Sequence, residues 1–261
     1  MLSQVIPSTL FTDSVYVGID PVSRHKSFVY AALDRGLNLV ALADGEMEDV
    51  MAFLSGQVSA VVAVNAPSHV NHGLVKKNLE QQSLAPHQIR GVDMRVSERE
   101  LLERGIAVSR TASRESLCPA RVQMGFELYR KLSKLGFKSQ LEEGASHQWL
   151  ETHPQAAFCV LLGESPLQRS MLEGRLQRAL LLYEHGVRIN DPMDFFEEVT
   201  RHKLIHGDLP MELVYLPEQL DALVAAYTAW LTAERPNAIM RIGHKQEGFI
   251  TLPVSSLKER Y

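Results

Sequence analysis

Asp20, Asn65, Glu151 and Asp221 each stand in an apolar or small-residue setting, far apart along the chain. The first ends the β-rich run Val15-Tyr16-Val17-Gly18-Ile19-Asp20, and Val58-Ser59-Ala60-Val61-Val62-Ala63-Val64-Asn65 repeats that plan with an amide. Both polar groups therefore fall at the carboxyl ends of predicted strands. In open α/β sheets that edge holds ligands, because loops form a crevice there while the strands beneath fix the side chains. Acids converging at such an edge from distant segments suggest a metal-dependent site.

The elements that must position these residues read as follows. Residues 15–20, 27–34 and 37–43 form three successive strands, with Arg35-Gly36 as a tight turn. Met47, Val50, Met51 and Leu54 recur at helical spacing across 46–55, and Gly56 follows as a stop before a buried strand over 58–64. This β-β-β-α-β order, with a parallel return beside the first strand, predicts a mixed sheet covered by helices. Residues 66–146 carry loop and helix signals and few strand signals, so they read as a mostly helical insertion. Gln148-Trp149-Leu150-Glu151 reads as a fifth strand, ended at Thr152-His153-Pro154 because proline cannot continue the ladder. Helical patterns follow over 166–184 and, more weakly, 194–206. The last clear helix starts at Pro217: Leu220, Leu223, Val224, Tyr227 and Leu231 face a core, while Ala222, Ala225, Ala226 and Ala229 permit close backbone approach. Asp221 rides beside that stripe. The tail Gly248–Pro253 reads as an edge strand. The resulting division is an extension over 1–14 and one domain over 15–261.

At 261 residues and 45% hydrophobic, the chain can bury a full core as one domain. Its net charge of −4 argues against a surface that embraces nucleic acid everywhere, yet averages hide patches. Between Arg90 and Lys138, 11 lysines and arginines stand against six acids, about +5 locally, which leaves the remainder near −9. Phosphate would be drawn to such a stretch; its interleaved Glu98, Arg99, Glu100, Glu103 and Arg104 equally describe a solvated helix face. Met1–Pro7 lacks a basic start followed by a long apolar run, no segment reaches membrane-spanning length, and Cys118 and Cys159 lack disulfide or zinc spacing. A reducing, cytoplasmic setting without membrane association is the expectation.

Gly18-Ile19-Asp20, the strand before Asn65-Ala66-Pro67, Glu151-Thr152-His153-Pro154 and Leu220-Asp221-Ala222-Leu223 in an alanine-rich helix resemble, in order and type, domain of unknown function family four-two-nine. The resemblance covers nearly the whole chain after about residue 14. It implies a ribonuclease-H-like fold, here a mixed five-stranded sheet, and membership among predicted nucleases. Such a site hydrolyses phosphodiesters with two divalent cations roughly 3.5–4 Å apart, one preparing the attacking water and one steadying the leaving oxygen. On that reading Asp20 bridges magnesium or manganese ions, Glu151 and Asp221 complete the shell, Asn65 supplies an amide oxygen, and His153 stands behind them as a base. Arg90, Arg95 and Arg99 are then the phosphate-binding residues; Arg90-Gly91-Val92-Asp93 resembles an arginine-aspartate segment of the family. Two positions depart from the family pattern: Asn65 where Asp precedes Ala-Pro, and Pro21 where a glycine follows the first acid.

Each residue also has a purely structural explanation. Asp20 and Asn65 suit turns, Asp221 suits the positive end of a helix, and Glu151 with His153 could brace the Pro154 turn. If the complete acid set is essential, Asn65 marks a degraded site and the alternative is a noncatalytic nucleic-acid or nucleotide binder. Neither His69-Val70-Asn71-His72 nor His202 to His206 has the context of a zinc protease site. Pro21–Lys26 lacks the glycines of a phosphate loop, so neither zinc nor a nucleotide cofactor is implied.

Overall fold

The computed structural model describes residues 14–22, 27–82, 93–139 and 146–261. Three antiparallel strands open it: β1 (Val15–Val22), β2 (Ser27–Leu33) and β3 (Leu39–Gly45), followed by helix α1 (Met47–Ser55) and strand β4 (Ala60–Val64), which returns parallel to β1. Helices α2 (Leu74–Gln82), α3 (Val96–Glu103) and α4 (Ala120–Lys134) come next, then the short strand β5 (Lys138–Ser139) and β6 (His147–Thr152). Helices α5 (Pro154–Leu162), α6 (Leu172–Glu184), α7 (Asp194–Glu198), α8 (Arg201–His206) and α9 (Pro217–Glu234) precede a final hairpin, β7 (Met240–His244) and β8 (Gly248–Leu252).

The sheet runs β3-β2-β1-β4-β6-β8-β7, with β5 beside the start of β6. It has eight strands among the described residues rather than the expected five. The additions are β5, too short to show a period, and the β7–β8 hairpin, of which only the second half had been expected. β8 is not an edge strand: it pairs with β6 on one side and β7 on the other. The mixed α/β architecture itself follows the expectation. Helix 166–184 starts later, at Leu172, and 194–206 is split into α7 and α8. Pro154 is not only a strand stop; it occupies the first turn of α5, where its missing N–H costs nothing.

Both faces of the sheet are covered, and central β4 is accordingly apolar and buried at every residue. Alternation along β1 divides the core. Val15, Val17 and Ile19 join Val62, Val64 and α1 and α4 residues on one face, whereas Tyr16 joins Ala63, Leu150 and α5, α6 and α9 residues on the other. Gly18 belongs to the second face. A Cβ there would lie 2.0 Å from Ala222 O and 2.3 Å from Ala226 N, so the glycine and the helix alanines together let α9 rest directly on β1. Among the described residues no helix is long and apolar enough to cross a membrane.

Candidate functional site

The close fit of β1 and α9 sets the first two acids. Asp20 is two residues beyond Gly18 and so emerges on the same face, toward α9, whose Asp221 adjoins the contacting Ala222. Both carboxylates line one cleft of about 510 Å³, together with Asn65, Arg121, His153, Arg169, Glu218 and a wall formed by residues 107–109. Asn65 lies beside Asp20 because β1 and β4 are parallel neighbours, with Asn65 N donating to Ile19 O at 2.9 Å. Its side-chain Nδ2 donates to Asp20 Oδ1 at 2.7 Å.

Two arginines supply counter-charge. Arg121 Nη2 donates to Asp20 Oδ1 at 2.5 Å and to Asn65 O at 3.1 Å, and its Nε donates to Pro21 O at 2.9 Å. Arg169 Nη2 donates to Asp221 Oδ2 at 2.7 Å and lies 3.6 Å from Glu218. The arginine side chains remain 40% and 44% exposed, whereas those of Asp20 and Asp221 are 3% and 12% exposed. Burial pushes the Asp20 carboxyl up despite Arg121 and Asn65. Burial, then the neighbouring charge of Asp20, pushes Asp221 up to about 7. Burial is the larger cause in both, and the counterions of the pair sit on side chains that water can reach.

Local packing aims these arginines. Arg121 is the second residue of α4, and α4 is seated by Gly125, where a Cβ would fall 2.3 Å from that of Ala66, and by Tyr129, whose hydroxyl donates to Ala66 O at 3.0 Å. Arg169 lies in the α5–α6 connection. Arg178 pins that connection by donating to Leu167 O at 2.7 Å, Gly174 O at 2.8 Å and Gln155 Oε1 at 3.0 Å.

His153 caps α5: its Nδ1 accepts from Ala156 N at 3.1 Å, which places the ring proton of the neutral form on Nε2. Burial, aided by the Arg121 charge, pushes its pKa down to about 4. At neutral pH His153 is therefore an uncharged donor at the cleft, with its one basic nitrogen already occupied.

Glu151 lies elsewhere. Its partner across the ladder is Val64, whose own partner is Ile19, so Glu151 shares their face of the sheet, opposite to that of Asp20. Arg95 Nη2 donates to Glu151 Oε1 at 2.5 Å and Nη1 to Oε2 at 3.0 Å, while Ser68 N and Oγ donate to Oε2 at 2.7 and 2.8 Å. Arg95 Nε also donates to buried Glu98 at 2.8 Å. Expected at a phosphate, Arg95 is instead 1% exposed and committed to this internal cluster. Arg99 pairs with Glu103 at 2.6 Å on the outer side of α3, and Arg90 lies outside the described residues. Among the described residues no group of three or more His, Cys, Asp or Glu is arranged to hold a metal ion.

A family model described as Protein of unknown function (DUF429) matches residues 18–242. The chain belongs to that family. The DUF429 match spans Asp20, Asn65, Glu151 and Asp221 together. Comparisons with curated proteins and with solved structures give no match. Arg121 and Arg169 are the cleft residues of this DUF429 chain that sequence reasoning missed. Arg121 was one of 11 basic residues in its stretch with nothing to distinguish it, and Arg169 follows an ordinary loop sequence, Gly163–Gln168. Only their ion pairs with Asp20 and Asp221 single them out.

Proposed function

We propose that this chain is a phosphodiester hydrolase of nucleic acid, dependent on magnesium or manganese and built on a ribonuclease-H-like arrangement of β1 to β4. The observation that carries the reading is the pair of buried acids, Asp20 and Asp221, facing one open cleft with the half-exposed Arg121 and Arg169 as counterions among the described residues. The antiparallel β1–β2–β3 set, followed by β4 parallel to β1, supports the fold assignment. Two buried thiols without disulfide partners accord with a reducing cytoplasm.

Two carboxylates and the amide oxygen of Asn65, with no thiol and no histidine pair, suit a hard cation that keeps several waters. With Glu151 on the opposite face, and Glu218 at the cleft but 3.6 Å from Arg169, no three carboxylates are grouped to hold ions among the described residues, so the fit is to one cation held by Asp20 and Asp221. When bound, such an ion polarises a phosphate oxygen and acidifies a coordinated water. Arg121 and Arg169 have the exposure to turn toward a phosphate, and a guanidinium can take two of its oxygens at once. The neutral His153 offers an Nε2–H to the same region. Phosphate recognition rests on these side chains of the cleft, in place of Arg95 and Arg99.

The test is incubation of purified protein with Mn²⁺ and labelled RNA, DNA and hybrid, beside Asp20→Ala and Asp221→Ala. Cleavage by wild type should fall by at least about 100-fold in either variant, the scale of losing a group that acts only in the transition state. Equal cleavage by all three proteins would expose a contaminant and defeat the reading. The amide at Asn65 and the existing arginine pairs favour one second reading, a noncatalytic binder. Its signature is association without cleavage that weakens steeply with salt.

A further inference from the structure

A second cavity, of about 650 Å³, opens beside the cleft and shares Val22 and Glu218 with it. Its other lining comes from Ser27, Val29, Ala43 and Asp44 on β2 and β3, and from Leu216 and Gln219 at the start of α9. Strand register fixes its relation to the acids. Asp20 pairs with Val29, and Val29 pairs with Asp44, so the three side chains stand in one row on the α9 face of the sheet. Two strand spacings put Asp44 roughly 10 Å from Asp20.

The two cavities differ in the cations that line them. The first presents Arg121 and Arg169 beside Asp20, Asp221 and the shared Glu218, whereas the second has no arginine or lysine among its described lining residues and presents Asp44 and Glu218 over an aliphatic floor of Val22, Val29 and Leu216. A phosphate meets guanidinium groups in the first and, among the described lining residues, only carboxylates as charged groups in the second. A ligand that satisfies both has an anionic group at one end and, roughly 10 Å away, a flat neutral body that carries N–H or O–H donors. The aliphatic residues can cover the faces of such a body while its edge donates to carboxylate oxygens. Gln219 completes this edge, since its Oε1 already accepts from Leu216 N at 2.7 Å and only its amide N–H groups remain to be given.

We infer that the second cavity is a nucleoside subsite, so that the site takes a nucleotide unit with its phosphate at the arginines and its base between β2–β3 and α9. Asp44 accepts from an exocyclic amine of the base, which favours adenine, cytosine or guanine over uracil. This deepens the hydrolase reading and rests on its assignment of the phosphate to the Arg121–Arg169 cleft.

The test is calorimetric titration of the full chain in magnesium-containing buffer with inorganic phosphate, adenosine monophosphate and uridine monophosphate, repeated on Asp44→Ala and Arg121→Gln. Adenosine monophosphate should bind about tenfold tighter than uridine monophosphate, the worth of one hydrogen bond to a charged acceptor, and uridine monophosphate tighter than phosphate. Asp44→Ala, a change at an exposed strand position, should erase the adenine preference and leave phosphate binding unchanged. Arg121→Gln should weaken all three ligands. Equal affinity for phosphate and both nucleotides, with Arg121→Gln still weakening them, overturns the subsite and leaves the cleft standing. Failure of wild type to bind any of the three overturns both.

Discussion

Asn65 shows how one atom type governs a site. Its amide N–H donates to Asp20 at 2.7 Å, a bond that an aspartate at the same place cannot make. Asn65→Asp would set a third carboxylate against Asp20 and Asp221, replacing a donor with repulsion. We expect the metal-free variant to lose roughly 1–3 kcal/mol. Added Mn²⁺ should then raise its melting temperature more than that of wild type, because the ion relieves the added charge. Equal Mn²⁺ shifts in the two proteins would mean that the amide does not limit cation binding. His153 provides a pH test. Its folded pKa of about 4 lies below the ordinary 6.5, so as pH falls through that window the unfolded chain takes up a proton that the folded chain refuses. Stability attributable to the neutral ring is present above pH 6.5 and lost on acidification toward 4. His153→Asn keeps a good helix cap without a titrating group. Thermal melts from pH 7 to 4 should fall a few degrees less steeply for the variant; parallel curves would refute a buried neutral imidazole.

Among the elements, α9 matters most to the site, and its position depends on the absence of a side chain at Gly18. Gly18→Ala places a methyl 2.0 Å from Ala222 O, a backbone atom that cannot rotate away. The helix must then lift from β1, which costs at least roughly 3 kcal/mol by the standard of overpacked cores. The same lift separates Asp221 from Asp20. Urea unfolding should show the lost stability, and the Mn²⁺-induced melting shift should shrink with it. A Gly18→Ala protein as stable as wild type would show that α9 is not seated by that contact. α4 has a parallel role through Gly125 and Ala66, which aim Arg121 at the cleft.

At the scale of the whole molecule, two charged centres lie on opposite faces of the sheet with different tasks. The cleft centre is open to ligand. The Arg95 centre is closed: its guanidinium binds Glu151 on β6, Glu98 on α3 and the main chain at Glu247 in the β7–β8 turn, while Glu247 accepts from His72 N at 2.8 Å, Leu74 N at 3.2 Å and Val96 N at 2.9 Å. This clasp ties the last hairpin and α3 to the central strands. Arg95→Ala leaves buried carboxylates without their cation and should cost about 3–5 kcal/mol. Hydrogen exchange should report the loss first in α3, β7 and β8, with β1, β4 and α9 the last to open. Uniform loss of protection over all these elements would show that the hairpin is not a separately anchored unit.

The first four strands, α1 and α9 were legible because their apolar periods are local, and the alanines of α9 announced a close approach whose partner proved to be Gly18. Asp20, Asn65 and Asp221 were legible as polar residues at the ends of those periods, and their meeting in one cleft follows from α9 lying on β1. Glu151 was equally conspicuous, but which face it takes depends on β6 register against β4, a long-range property that no local pattern encodes. A shift of one residue exchanges the faces. Arg95 was recognised as a cation and given the wrong surroundings for the same reason: composition counts charge without saying whether it meets solvent or a buried carboxylate. Arg121 and Arg169 became distinct from other arginines only when folding put them within ion-pair distance of the acids. Sequence determined the residues and periods; tertiary structure decided their partners, because pairing across a sheet joins positions that the chain itself keeps far apart.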